Sequence, residues 1–352
     1  MQLTHGLLRW SATLAVIAAM SLGRASAQSG ASQRHAARDN APQSTSRDVA
    51  ADILELAKEG LGSSGSVGVA AWRLDGKGPS VLVNADETFP MASTFKVAVA
   101  GAVLTLVDEG RLDLEHMIPI SLDRMVYSDI IADRFIHPGV SLSVYNLLEL
   151  MLTQSDNTAT DYMVAAAGGP DAVTAWVQTQ SIRDLRVDGD TDAILRRFFR
   201  LGEGTFAQAV SAKEKDDPDF QADAYKPDSH FDDDPRDSST PRAMAQLLTR
   251  IFNRQALSAE STQIMTQMMA RCRTGAKRLL GRMPLNSPVA DKTGTIGGSV
   301  NDVGVITLPH DAGQVAIAVF IKKSDASEDV REQAIAEIGR SVRDYYLYAA
   351  RP

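Results

Sequence analysis

Cysteine is almost missing from this chain of 352 residues; Cys272 is the only one. An intramolecular disulfide is therefore excluded. No Cys–His motif surrounds Cys272 to make it a nucleophile, so it reads as a buried or inert thiol. Histidine is scarce too, with six residues and no zinc or calcium-loop spacing among them, so the sequence supplies no metal site and implies no cofactor. Basic residues are outnumbered, 36 Lys and Arg against 44 Asp and Glu, for a net charge of -8. The clustered cations that nucleic acid rewards are lacking, which argues against such a partner. The apolar run Trp10–Leu22 is too short for a membrane span, and there is no internal repeat.

That short run has the flanks of an export signal. Arg9 precedes it, and Ala25-Ser26-Ala27 follows with small residues at the spacing a signal peptidase reads. Residues 1–27 are expected to be a signal peptide. The mature protein then starts at Gln28 in the periplasm, a monomer with no stable membrane association. Residues 28–47, rich in Ser, Ala, Gln, Arg and Asn, read as a flexible tail. The remainder, 48–352, is long enough and apolar enough for one large domain or two intimate subdomains, with 44% hydrophobic residues in the chain.

Within it, Val49, Ile53, Leu54 and Ala57 recur at helical spacing. Val67–Leu74 and Val81–Val83 then form a hairpin pattern around Gly76-Lys77-Gly78. Two more strand patterns, Val303–Leu308 and Val315–Ile321, precede an amphipathic helix from about 327 to 346. The middle is mostly helical in pattern. Strands at both ends and helices between them give an α+β expectation: one antiparallel sheet built from both termini and flanked by helices, with an inserted all-α subdomain. The α/β part is 48–90 and 280–352, and the α part is 91–279. A long insertion at about 196–238 interrupts the latter. Its stretch from Glu203 to Asp237, rich in Asp, Lys, Pro and Ser, reads as a solvated surface loop.

Three short motifs carry chemistry. Ser93-Thr94-Phe95-Lys96 opens an apolar helix, and residues three apart share a helix face, so an amine lies beside a hydroxyl. A serine hydroxyl is a weak nucleophile until an adjacent base takes its proton. Ser155-Asp156-Asn157 follows the helical pattern Val144–Thr153. Lys292-Thr293-Gly294-Thr295 forms a turn before the strand at Val303. Alone, each has a plain structural reading: a helix cap for Ser93 or Ser155, a turn for Gly294. Together and in this order they are the signature of class A β-lactamases and penicillin-binding proteins.

The chain resembles class A β-lactamases over most of residues 50–350. Val126-Tyr127-Ser128 is similar to that family's aromatic gatepost, and Gly168-Gly169-Pro170 to a shared turn. Thr274-Gly275 with Arg278-Leu279 resembles a branch in which the arginine reaches the substrate carboxylate. Asp302-Val303-Gly304-Val305 resembles the strand after the Lys-Thr-Gly turn, and Arg236-Asp237-Ser238-Ser239-Thr240-Pro241 the end of the omega loop. The resemblance implies a metal-free acyl-enzyme route. Ser93 would attack the lactam carbonyl, with Lys96 as a candidate base held beside Ser155 and Asn157. Ser155 with Lys292 would deliver a proton to the leaving nitrogen. The N–H groups of Ser93 and Thr295 would form the oxyanion hole. Thr293, Thr295 and Arg278 would hold the carboxylate of a small β-lactam, and Gly294 would let the backbone approach it.

One departure divides the reaction. The family's omega loop carries a glutamate that activates the water releasing the acyl-enzyme. Here Arg186–Leu195 holds only Asp188, Asp190 and Asp192, and Glu203 is the first glutamate downstream. Asp192 stands nearest the usual position and is the expected base. Two other readings remain open: a DD-peptidase acting on D-alanyl termini, and a slowly releasing β-lactam-binding protein.

Overall fold

The computed structural model describes residues 46–61 and 65–349. The expected signal peptide and nearly all of the expected tail lie outside them. The first helix, Ser46–Gly60, begins within the last two residues of that tail.

Five strands form one wholly antiparallel sheet. Its spatial order is Val81–Val83, Ser66–Arg73, Gln314–Lys322, Ser299–Thr307, Val289–Ile296. The two chain ends supply all five, as their patterning requires. Along Gln314–Lys322, alternate residues enter two different cores. Ala316, Ala318 and Phe320 face the helical part, whereas Val315, Ile317, Val319 and Ile321 face the terminal helices. Side chains on a strand alternate faces, so a sheet covered on both sides reads as an unbroken apolar run. The outer cover consists of Ser46–Gly60 and Glu328–Ala349. The latter presents Ile335, Ile338, Val342 and Tyr346 to the sheet at helical spacing. The Tyr346 hydroxyl lies 2.8 Å from the carbonyl oxygens of Ala71 and Pro79, which fixes this helix across the first hairpin.

On the other face the helices surround Lys96–Asp108, whose residues from Lys96 to Leu104 are all buried. Helices Val144–Thr153, Asn157–Ala166, Pro241–Phe252 and Ala259–Met269 start at Ser143, Asp156, Thr240 and Ser258. Each of these side chains accepts a hydrogen bond from a first-turn N–H.

Two expectations are corrected. Lys292–Thr295 is not a turn; it lies inside the edge strand Val289–Ile296, paired to Val300–Val303. Its polar letters hid a strand that pairs along its whole length and buries Asp291, Lys292 and Thr293. The stretch after Glu203 is likewise not a bare solvated loop. It contains Phe206–Asp216, closed by a capping box between Thr205 and Gln208, a 3₁₀ turn at Phe220–Tyr225 and the short helix Ser229–Asp232. Phe198 meets Phe199 and Phe231 edge-to-face, and Phe199 meets Phe220, with centroids 4.9 to 5.5 Å apart. The insertion thus has a small aromatic core of its own. Its neck is closed where Phe89-Pro90 pairs with Ser238-Ser239 and Leu185 bridges Ser239. Asp237 closes it further by accepting from the N–H groups of Asp188 and Gly189 and from the Arg197 guanidinium.

Candidate active site

Ser93 stands in a 3₁₀ turn, Ala92–Phe95, that leads directly into Lys96–Asp108. Ala92 has φ 46°, and the Thr94 hydroxyl donates to Met91 O at 2.8 Å, so the turn is tightly folded. Asn301, on the strand Ser299–Thr307, donates to the carbonyls of Pro90 (2.8 Å) and Met91 (3.0 Å) and anchors the approach to it. The edge strand passes close by. A Cβ on Gly294 would lie 2.7 Å from Met91 O and 3.0 Å from Ser93 N, so only glycine lets strand and serine meet.

The second motif enters from the helical side. Asp156 caps Asn157–Ala166 by accepting from Ala159 N–H (2.8 Å), and also accepts from Ile131 N–H (2.9 Å). Ser155 has φ 57°, which turns its side chain out of the helix path toward the two lysines. Lys96 Nζ donates to Ser155 O (2.7 Å) and Asn157 Oδ1 (2.9 Å) and lies 3.2 Å from Ser155 Oγ. Lys292 Nζ donates to Ser155 Oγ (2.9 Å) and Thr293 O (2.8 Å). One hydroxyl therefore sits between two fully buried amines.

Burial disfavours the charged form of both amines, and each cation repels a neighbouring one. Lys96 is held well below the usual lysine range by burial and then by the charge of Lys292. Lys292 is lowered by burial to about 8, with Asp291 among the groups that oppose the shift. An amine whose charged form is disfavoured by burial can act as a base; one with a value near 8 can act as a cation.

Asn157 also donates to Tyr127 O (2.8 Å), which places that tyrosine at the cleft. Its hydroxyl reaches Asp129 Oδ1 at 3.2 Å. Burial and the Asp129 charge raise the phenol above its ordinary range. At the other end of the cleft, Arg278 is 4% exposed and heavily engaged. It donates to the carbonyls of Gly294 and Asn301, to Thr295 Oγ1 (2.6 Å) and to Glu332 (3.1 Å). Thr293 shares a short hydroxyl contact with Thr274. Thus all three motifs, with Tyr127 and Arg278, converge on one cleft.

The aspartates of the loop separate. Asp188 pairs with Arg186 and accepts from Asp237 N–H, so it belongs to the neck. Asp190 caps the helix Thr191–Phe199 through Ala193 N–H (2.9 Å). Asp192, in that helix's first turn, is paired with Arg196 Nε at 2.6 Å. Glu203 is exposed.

Sequence reasoning missed two residues. Asn301 orders the serine turn, and Asp161 ties the loop to the site. Asp161 lies one helical turn after Asn157 and accepts from Thr191 N–H (2.6 Å) and Asp192 N–H (3.0 Å). Burial and the Asp190 charge push its carboxyl up to about 7, against the pull of those two N–H groups. The four-residue spacing from Asn157 is the only signal the sequence offers for it.

Comparisons with known proteins agree in kind. A model described as the β-lactamase enzyme family matches residues 25–346. The extended-spectrum β-lactamase PER-1 of Pseudomonas aeruginosa is 29% identical over 295 residues, spanning 82% of this chain and 84% of its own. Among solved structures, an ancestral Gram-negative class A β-lactamase is 31% identical, with TM-score 0.68, covering 84% of this chain and 99% of that one. A β-lactamase from Chitinophaga pinensis is 28% identical with TM-score 0.69, covering 85% and 99%.

Proposed function

The chain belongs to the β-lactamase enzyme family, and we propose that it opens the ring of penicillin- and cephalosporin-type antibiotics through an acyl-enzyme on Ser93. Such an activity confers antibiotic resistance. The observation that carries the mechanism is Ser155 Oγ lying between the buried amines of Lys96 and Lys292. Lys96, its pKa held down by burial, takes the proton of Ser93 as its Oγ bonds to the lactam carbon. The ring C–N bond then breaks, and the nitrogen receives a proton from Ser155, which regains one from Lys96, now carrying the Ser93 proton, beside the Lys292 cation. The N–H groups of Ser93 and Thr295 stabilise the oxyanion, each donor typically contributing about 3 kcal/mol. Thr293 and Thr295 hold the substrate carboxylate; Arg278, expected to reach it, has its N–H groups engaged by Gly294, Asn301, Thr295, Glu328 and Glu332 and instead orients Thr295. Water activated by Asp192 releases the product and restores Ser93.

Mixing the protein with benzylpenicillin and following mass and absorbance together tests this reading. The expected result is turnover with a transient adduct of one penicillin. A persistent adduct supports the slowly releasing binding protein instead, a reading that the Asp192–Arg196 ion pair favours. No adduct and no turnover overturn both.

The lysines also set a pH dependence. Lys292 serves as the cation beside Ser155, so kcat/KM is expected to fall as pH rises through about 8. Its contribution to stability has the opposite slope. Between about 8 and 10.5 the unfolded chain keeps a proton that the fold sheds, so this contribution rises with pH. Activity should therefore fall without an accompanying loss of Tm from this group. In Lys292→Arg, whose guanidinium stays charged, the descending limb should move to higher pH. An unmoved limb rules out this assignment.

We also propose export to the periplasm after cleavage at Ala27, with the mature chain monomeric. Arg9, Trp10–Leu22 and Ala25-Ser26-Ala27 support the export signal. Among the described residues, no helix is long and apolar enough to cross a membrane. N-terminal sequencing of the exported protein should read from Gln28.

A further inference from the structure

The insertion packs against the strands that carry the Lys292 motif and its hairpin. Its 3₁₀ turn Phe220–Tyr225 lies over the hairpin joining the edge strand to Ser299–Thr307. Gly297 N–H donates to Ala224 O at 2.9 Å. Arg331, 1% exposed, reaches from the C-terminal helix and clamps both sides. Its Nη1 donates to Gly297 O (2.8 Å) and its Nη2 to Tyr225 O (3.2 Å). The fit leaves no room for larger residues in the hairpin. A Cβ on Gly297 would lie 2.8 Å from the Phe198 ring and 2.9 Å from Lys226 O, and one on Gly298 would lie 2.8 Å from Pro227. Gly297 also has φ 55°.

This docking brings Tyr225 near enough to Tyr127 for the two phenols to act on each other. Gly297 is two residues beyond Thr295. Glu328, which touches the Arg278 guanidinium at 3.4 Å, lies close enough to Tyr225 for its charge to act on the phenol, as does that of Asp129. Asp129 is the residue that accepts from Tyr127. Tyr225 is 45% exposed, a large aromatic side chain left at the surface although its backbone is tied down on both sides. Exposed aromatics on a fixed backbone are typical of recognition surfaces.

We propose that Phe220–Pro227 is a wall of the substrate cleft and that Tyr225, together with Tyr127, bounds its mouth as a specificity-determining residue. It limits the bulk of the ring substituent that emerges between the two tyrosines. The inference rests on the β-lactamase reading above. Arg331 is a positioning residue that acts through the wall and does not touch substrate.

The test compares two penicillins with the same ring and carboxylate, benzylpenicillin and the bulkier piperacillin, on the mature full-length protein. A contact that excludes one substituent typically shifts kcat/KM ratios by about tenfold or more. Tyr225→Ala is expected to raise the piperacillin-to-benzylpenicillin ratio by about that factor, chiefly through KM, while Tyr225→Phe keeps the wild-type ratio. Arg331→Met should shift the ratio the same way and speed amide exchange at Gly297 and Tyr225. If Arg331→Met fails to fold, Tyr225→Ala decides alone. An unchanged ratio in folded Tyr225→Ala overturns the wall, as does an equal shift for both substrates. Ratios of Ser93 acylation rates, read by mass spectrometry, serve equally where release is slow. A wild type that forms no adduct with either penicillin fails the β-lactamase reading and this inference with it. A wild type that acylates with a ratio insensitive to Tyr225 fails this inference only.

Discussion

Ser93→Ala is expected to lose β-lactam turnover by on the order of 10⁴- to 10⁶-fold and to form no covalent adduct at all. In barrier terms this is about 5–8 kcal/mol. The loss is this large because the other machinery acts on what Ser93 begins. Lys96 has no proton to take, Ser155 has no expelled nitrogen to protonate, and the oxyanion donors face an unreacted carbonyl. The substitution itself is mild. Ser93 is only partly buried in its turn, and that turn is held by Asn301 and Thr94, neither of which bonds to the Ser93 side chain. The variant should therefore fold with a Tm near wild type and still bind benzylpenicillin reversibly through Thr293 and Thr295. Peptide mapping of the wild-type adduct completes the measurement. An adduct on Ser155 or Cys272, or one that persists in Ser93→Ala, would overturn the assignment. Cys272 is a poor competitor, because burial raises its thiol pKa and leaves less of the nucleophilic thiolate.

The sheet and the cleft were legible in the sequence to different depths. Apolar strands such as Gln314–Lys322 announce themselves because both faces are buried and every residue is selected for it. Val289–Ile296 does not. Asp291, Lys292 and Thr293 are buried, Lys292 and Thr293 bonded to Ser155 and Thr274 on other elements, and pattern reading sees only polar letters. The same logic hid Asp161 and Asn301, whose roles depend on backbone groups distant in sequence. The Ser93, Ser155 and Lys292 motifs were readable because each compresses its geometry into three or four consecutive residues. The insertion defeated composition. Its charges are real and mostly outward, but four phenylalanines at 198, 199, 220 and 231 supply a core too sparse to register as periodicity.

Release of the acyl-enzyme depends on a group that must differ from the usual glutamate, and Asp192→Asn is expected to trap it. The acylation rate should stay near wild type, since Lys96, Ser155 and Lys292 are untouched. Deacylation should slow by about 10²- to 10⁴-fold, the usual share of a general base, or roughly 2.7–5.4 kcal/mol of barrier. The structure gives Asp192 the right anchorage. Its backbone N–H and that of Thr191 are held by Asp161, on the helix that presents Asn157 to Lys96. It also imposes a handicap. The Asp192 carboxylate is paired with Arg196 at 2.6 Å, and the guanidinium is itself fixed by the carbonyls of Gly202 and Gly204. A carboxylate held by a guanidinium must give up that contact to reach a water, so wild-type release should already be the slow step. Two parallel variants separate chemistry from scaffolding. Asp190→Asn keeps an acceptor at the helix cap, and asparagine caps about as well as aspartate, so it should turn over and melt near wild type. Glu203→Gln alters an exposed residue and should change neither. Stopped-flow absorbance with mass spectrometry of the quenched enzyme reads all three. If Asp192→Asn releases product like wild type while one of the others accumulates adduct, the base is that residue. If none changes release and wild type itself stays acylated for hours, the chain retains the family's acylation chemistry without its hydrolysis, and it acts as a penicillin-binding protein.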